Sequence, residues 1–264
     1  MKNFKLYSVF SLLVLITISC TRNIDLKLNN NSGLLVIEGN ITSKYGPQYI
    51  TLSENVPFTN TNTYPPVTGA TVSVTDNNGN SYPFTEGPAG TYSINRMAGA
   101  PGTTYTMTVL TGGKTYTATS TMPTFVPLDS LSAMSSQFGK NNQQQISVHY
   151  HDPSGEANQY RFVMYVNGAQ VNRVFAVDDQ FTNGRYVNYN LFENDIDIYP
   201  GDSVKVEMQC IDKNIYTYWF TLIQQQENGP GGGVTPSNPP TNITPATLGY
   251  FSAHTTQSKT IVVK

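Results

Sequence analysis

Short runs in which apolar and hydroxyl-bearing residues alternate, cut at close intervals by turn formers, constrain this chain more than any other feature. Ala70, Val72 and Val74 fall on one face of an extended segment, with Thr71, Ser73 and Thr75 on the other. A period of two is strand geometry, because successive side chains point to opposite faces. Asp76-Asn77-Asn78-Gly79-Asn80 follows, and its Asn-Gly step supplies the positive φ angles of a tight hairpin. The period continues in Tyr92/Ile94, Tyr105/Met107/Val109 and Tyr116/Ala118, with Gly102 and Gly112-Gly113 between them. Upstream, Leu34-Leu35-Val36-Ile37-Glu38 and Tyr49-Ile50-Thr51-Leu52 flank Gly46-Pro47. No helical period interrupts the series, which predicts an all-β sandwich and not a parallel sheet. Met122-Pro123-Thr124-Phe125-Val126-Pro127 breaks the alternation. It sets the expected boundary between a first sandwich over 33–123 and a second over 124–264.

In the second unit, Gln145 to Tyr150 and Tyr160 to Val166 read as strands joined by an Asp152-Pro153-Ser154-Gly155 turn. Val171 to Val177, Tyr186 to Phe192 and Val204 to Ile211 add three more. One helix is expected over about 213–227. Asp212 is its N-cap, Ile215, Trp219, Leu222 and Ile223 recur at spacings of four, seven and eight, and Gly229-Pro230 ends it. Trp219 lies in that stripe and reads as a core anchor more than as a ligand platform. Gly231 to Pro240 is a loop too short to separate a third domain. Leu248 to Ala253 and Thr260 to Val263 look like closing strands. The expected fold is thus all-β, two consecutive sandwiches, the second with one short helix.

The N-terminus adds a location. Met1-Lys2-Asn3-Phe4-Lys5 is basic, Leu6 to Ile18 is apolar, and Ser19-Cys20 follows at the expected cut, the order of a secretory signal over 1–19. The apolar stretch is shorter than the about 20 residues a spanning helix needs. Cys20 at the cut points to a lipoprotein, although Thr17-Ile18 departs from the preferred lipobox residues; the alternative is an ordinary signal with an accidental cysteine. Residues 20–32 then form a lipidated tether, polar and Asn-rich, reaching roughly 20 Å as a coil. The chain has two cysteines, so acylation of Cys20 leaves Cys210 unpaired. Cys210 shares a face with Val204, Val206 and Met208 and reads as an inert core thiol.

Composition narrows the function. Charged residues are 12% of the chain, against roughly 25% in ordinary soluble domains. The formal net charge is −2, and no Lys/Arg cluster occurs, which argues against a nucleic-acid partner. No nucleophile elbow, Walker loop, dinucleotide fingerprint or HExxH is present, so no cofactor is expected and the chain reads as non-enzymatic.

Four groups of residues still ask for a role. His149 and His151 lie two apart on one strand face and could share a metal ion, with Asp152 or His254 as a distant third ligand; a solvated pair is the plainer alternative. Asp178-Asp179-Gln180-Phe181-Thr182-Asn183-Gly184, with Glu193, Asp195 and Asp197 close behind, carries oxygen ligands that calcium would take. Its spacing is not that of an EF-hand, and such clusters also simply make loops. Asp129-Ser130-Leu131 and Asp202-Ser203-Val204 match a short O-glycosylation pattern at Ser130 and Ser203. The 17 tyrosines suit strands, and in loops they suit sugar stacking or protein interfaces.

Pro66-Val67-Thr68-Gly69-Ala70-Thr71-Val72-Ser73-Val74, Asp76…Gly79, Gly90-Thr91-Tyr92 and Gly102…Tyr105 to Val109 resemble a prealbumin-like, carboxypeptidase-regulatory type of domain. That resemblance implies a module that spaces and docks. Leu35 to Gly39, Pro66 to Ala70, Val126-Pro127-Leu128-Asp129-Ser130-Leu131, Tyr216-Thr217-Tyr218-Trp219 and Leu248 to Ala253 resemble, in that order, a Bacteroidota lipoprotein family described as domain of unknown function 4249. Its members are often encoded beside TonB-dependent outer-membrane transporters. The resemblance implies a lipid-anchored outer-membrane accessory, facing the cell surface or the periplasm, that docks on such a barrel or another envelope complex. The alternative is a surface lipoprotein that captures glycan or peptide on its own, and it predicts an exposed aromatic cleft. A hydrolase built on paired carboxylates is the weakest of the three, because no carboxylate here sits in a catalytic motif.

Overall fold

The computed structural model describes residues 32–57, 63–136, 141–227 and 238–264. Cys20, the signal and most of the tether lie outside them, as does most of the Gly231 to Pro240 loop.

The alternating segments form strands. Seven build the first half: β1 (Leu35–Thr42), β2 (Gly46–Glu54), β3 (Thr71–Asp76), β4 (Ser81–Glu86), β5 (Thr91–Met97), β6 (Thr104–Thr111) and β7 (Lys114–Thr121). Strand β4 pairs its first residues with β3 and its last two with β5, and so turns the corner between two layers. Between the layers lies a core in which Ile37, Ile50, Leu52 and Tyr92 meet Val72, Val74, Met107 and Val109. These are the alternate positions of the sequence pattern, with their hydroxyl-bearing neighbours turned away from the core.

The second half holds β8 (Leu128–Ser135), β9 (Gln144–His151), β10 (Gln159–Val166), β11 (Ala169–Gln170), β12 (Phe175–Asp178), β13 (Tyr186–Leu191), β14 (Ser203–Ile211), helix α1 (Lys213–Glu227), β15 (Ile243–Thr244) and β16 (Leu248–Val262). A three-stranded sheet in the order β13-β9-β8 faces β10 and β14 across a core of Tyr150, Tyr160, Phe162, Met164, Val206, Met208 and Cys210. Asp212 caps α1 as its sequence position requires, its Oδ1 accepting from the N–H groups of Asn214 (2.9 Å) and Ile215 (3.1 Å). Its other oxygen accepts from the Ser120 hydroxyl of β7, whose Oγ accepts in turn from the Ala253 N–H (2.8 Å).

The end of the chain departs from the expected division. The two closing strands are one strand, β16, and it belongs to both halves. Its first part pairs in parallel with β1, from Val36↔Leu248 to Thr42↔His254. Its second part pairs antiparallel with β14, from Cys210↔Thr255 to Ser203↔Val262. Phe251 and Ala253 therefore enter the first core, as does Ile243 of β15, which pairs with β7, while Val263 enters the second. The polar run from Thr255 to Thr260 hides this continuity, because from Ser258 to Thr260 the strand is held by backbone pairing while its side chains face solvent.

Candidate functional site

A cleft of about 430 Å³ opens on the second sandwich. Three elements make it. Helix α1 contributes Tyr216, Phe220 and Ile223, a stripe at spacings of four and seven beside the one that packs on the sheet. Strand β12 lays Phe175 to Asp178 along one side, and β13 brings Val187, Tyr189 and Asn190 from the other sheet. The turn between those strands adds Phe181 and Thr182, and Tyr150 reaches in from β9.

The rings are arranged for contact. Tyr216 stacks on Phe220 with centroids 5.5 Å apart, and the Arg173 guanidinium lies 5.9 Å from the Phe192 centroid. Three of the phenylalanines stand in solvent: Phe181 is 81% exposed, Phe192 46% and Phe220 39%. Nothing in the core requires them there. Burial, followed by the charge of Asp178, pushes the Tyr216 phenol up to about 12, so it remains a hydrogen-bond donor at neutral pH. Burial raises the Tyr150 phenol as well. The Thr182 Oγ1 and Asn190 Oδ1 atoms are buried without a hydrogen-bond partner among the described residues. The lining thus offers apolar rings, a few hydroxyl and amide groups, one arginine and one carboxylate, the chemistry of recognition.

Most of the residues singled out in the sequence lie elsewhere or hold the fold. His149 is half-buried, with Nε2 2.7 Å from the Ser132 hydroxyl and its ring stacked on Tyr186. His151 Nδ1 meets the Asp152 carbonyl at 3.0 Å. His254 is buried within β16, its Nδ1 3.0 Å from Ser252 Oγ. Asp178 borders the cleft. Asp179 is buried in the adjoining turn, where its carbonyl accepts from the N–H groups of Thr182 and Asn183 (both 2.9 Å), while its Oδ2 has no partner among the described residues. Glu193 Oε2 accepts from the N–H groups of Asp195 and Ile196, and Asp195 accepts from the Asn172 N–H. Among the described residues no three His, Cys, Asp or Glu side chains converge as a metal site. Ser130 is exposed on β8 and Ser203 at the start of β14, both accessible to modification. Cys210 is buried, and burial pushes its thiol pKa up.

The cleft residues themselves went unread in the sequence, apart from the acidic run at Asp178. The signal that was available is the helical spacing Tyr216-Phe220-Ile223, in which Phe220 stands exposed. Phe181 stands in polar loop sequence and Phe192 at the end of an expected strand, and their convergence is a product of the tertiary fold.

The fold is all-β, and its second half carries a cleft lined largely by aromatic and apolar side chains. Among the described residues no helix is long and apolar enough to cross a membrane. A family described as domain of unknown function (DUF4249) matches residues 21–260, so the chain belongs to that family. No curated protein matches it. Among solved structures, a segment of two fibronectin type-III domains from chicken tenascin is similar, at 15% identity over 68% of this chain and 90% of that one, with a TM-score of 0.21.

Proposed function

We propose that this chain is a lipid-anchored, non-catalytic accessory protein of the bacterial outer membrane, and that the cleft of its second sandwich docks on an envelope partner such as a TonB-dependent barrel. The observation that carries the docking surface is the set of exposed rings, Phe181, Phe192 and Phe220, around a cavity that is already open. Aromatic residues at such a mouth bury much area for little side-chain entropy, which is how interface anchors work. The anchor rests on Cys20 behind its basic and apolar leader, and the short tether keeps the body near the membrane. The resemblance to transporter-linked lipoproteins supplies the kind of partner.

A second role, capture of a glycan or peptide by this protein alone, is favoured by the unpartnered Thr182 and Asn190 oxygens, which a donor-bearing ligand would satisfy. One comparison separates the two. The protein is purified from membranes in mild detergent beside a Phe181→Ala/Phe192→Ala variant, and Cys20→Ser is fractionated in parallel. Docking is supported when a barrel accompanies the parent protein and is lost from the double variant, while Cys20→Ser leaves the membrane. Equal recovery of the barrel with both, or no barrel with either, refutes docking through the cleft.

A further inference from the structure

The cleft runs between two sheet edges whose outward backbone groups can be assigned. The Asp179 N–H donates to the Asn158 carbonyl at 3.1 Å, and the register runs back from there through Gln159↔Asp178, Tyr160↔Val177, Arg161↔Ala176 and Phe162↔Phe175. Bonded and non-bonded pairs alternate in an antiparallel ladder. Phe175 and Val177 therefore bond to β10, and Ala176 and Asp178 turn their N–H and C=O groups outward. Across the cleft, the Asp152 N–H donates to the Arg185 carbonyl at 2.9 Å. By the same rule Tyr186, Asn188 and Asn190 turn theirs outward from β13. Among the described residues no strand pairs with either of these edges.

An open edge is a template for another strand. We infer that the cleft takes an extended peptide segment of its protein partner, added antiparallel to β12, with guest side chains set among Phe181, Phe192 and Phe220. This inference rests on the cleft being the docking surface. The main-chain groups of Ala176 and Asp178 give the attachment, and the rings give the side-chain pockets, the division of labour of strand addition. Charge sets the direction. Asp178 ends β12, so an antiparallel guest meets it with a basic residue near the guest's own N-terminus. A hydroxyl-rich sugar fits less well, since the three exposed rings are phenylalanines and most of the lining is apolar.

Panning random linear peptides displayed on phage against the full protein in mild detergent tests this. Enriched sequences are synthesised with a fluorescent label, unmodified and N-methylated on each alternate set of residues, and binding is read by anisotropy. The expected result is enrichment of segments with a basic residue near the N-terminus and alternating apolar residues after it. Methylation of one alternate set should weaken binding at least about tenfold, the worth of one or two hydrogen bonds, while the other set changes little. Failure to enrich any sequence, or equal affinity of both methylated forms, overturns strand addition. If the docking surface itself were misplaced, Phe181→Ala/Phe192→Ala would still retain the partner. If strand addition alone is mistaken, that variant loses the partner while N-methylation has no effect.

Discussion

The guanidinium of Arg161 lies 3.7 Å from the centroid of the Trp219 ring. This contact pins α1 to the face of β10 that looks away from the second core. Ile211, Ile215 and Tyr250 are buried beside it, and Tyr218 packs against both Trp219 and Tyr250. Arg161 Nη1 donates to Gln209 Oε1 at 3.0 Å. Burial pulls the guanidinium pKa down, and Tyr250, Glu207, Tyr165 and Glu38 oppose that shift. The cleft depends on this pin, because the helix that carries Trp219 also carries Tyr216 and Phe220.

Removing either partner should therefore loosen the helix. A double-mutant cycle of Arg161→Met and Trp219→Ala, followed by denaturant unfolding, should give a coupling energy of about 1–2 kcal/mol, the worth of a desolvated cation on an aromatic face. Additive single effects would mean the stacking adds nothing beyond packing.

Gly249 is required by the parallel pairing of β16 with β1. Its φ is +95°, and an added Cβ would stand 2.0 Å from the carbonyl oxygen of Ile37, its register partner. The backbone conformation alone costs an alanine about 1–2 kcal/mol, and the strand must also move away. Gly249→Ala should lower Tm by at least about 4 °C. Gly39→Ala should cost less, since its nearest neighbours are the Phe251 and Met107 side chains, which can shift. A Gly249→Ala protein that melts with the parent would remove this constraint.

His254 ties stability to pH. Burial, and then the charge of Arg161, lower its pKa from 6.5 to about 3. Between those values the unfolded chain binds a proton that the folded protein does not, so stability falls as pH drops from 6.5 towards 3. The slope from this group is about 1.4 kcal/mol per pH unit, and it vanishes above 6.5 and below 3. His254→Gln should flatten the profile in that window, measured by urea unfolding at pH 7, 6, 5 and 4. An unchanged slope would assign the effect to other groups.

Much of this was legible in the sequence because it is local. Alternation placed Ala70, Val72 and Val74, the Asn-Gly step placed the turn before β4, and Asp212 marked the helix start to the residue. The double membership of β16 was not legible. Its pairing with β1 joins segments at opposite ends of the chain, and the polar run after Thr255 resembles a loop. The cleft was hidden for a related reason. Its walls come from α1, β12, β13 and a turn, and only the fold brings Phe181 near Phe220. Trp219, the one residue that composition makes conspicuous, serves to hold the helix.

On the proposed function, the exposed rings of the second sandwich, and no other surface, meet the partner. Placing a photo-crosslinking amino acid at Phe181 in the native membrane tests it directly, with the same substitution at Tyr45, 69% exposed on the first sandwich, for comparison. A single discrete adduct from position 181, containing an outer-membrane barrel and absent from position 45, is the expected result. Adducts from position 45 alone, or equally from both, would contradict it.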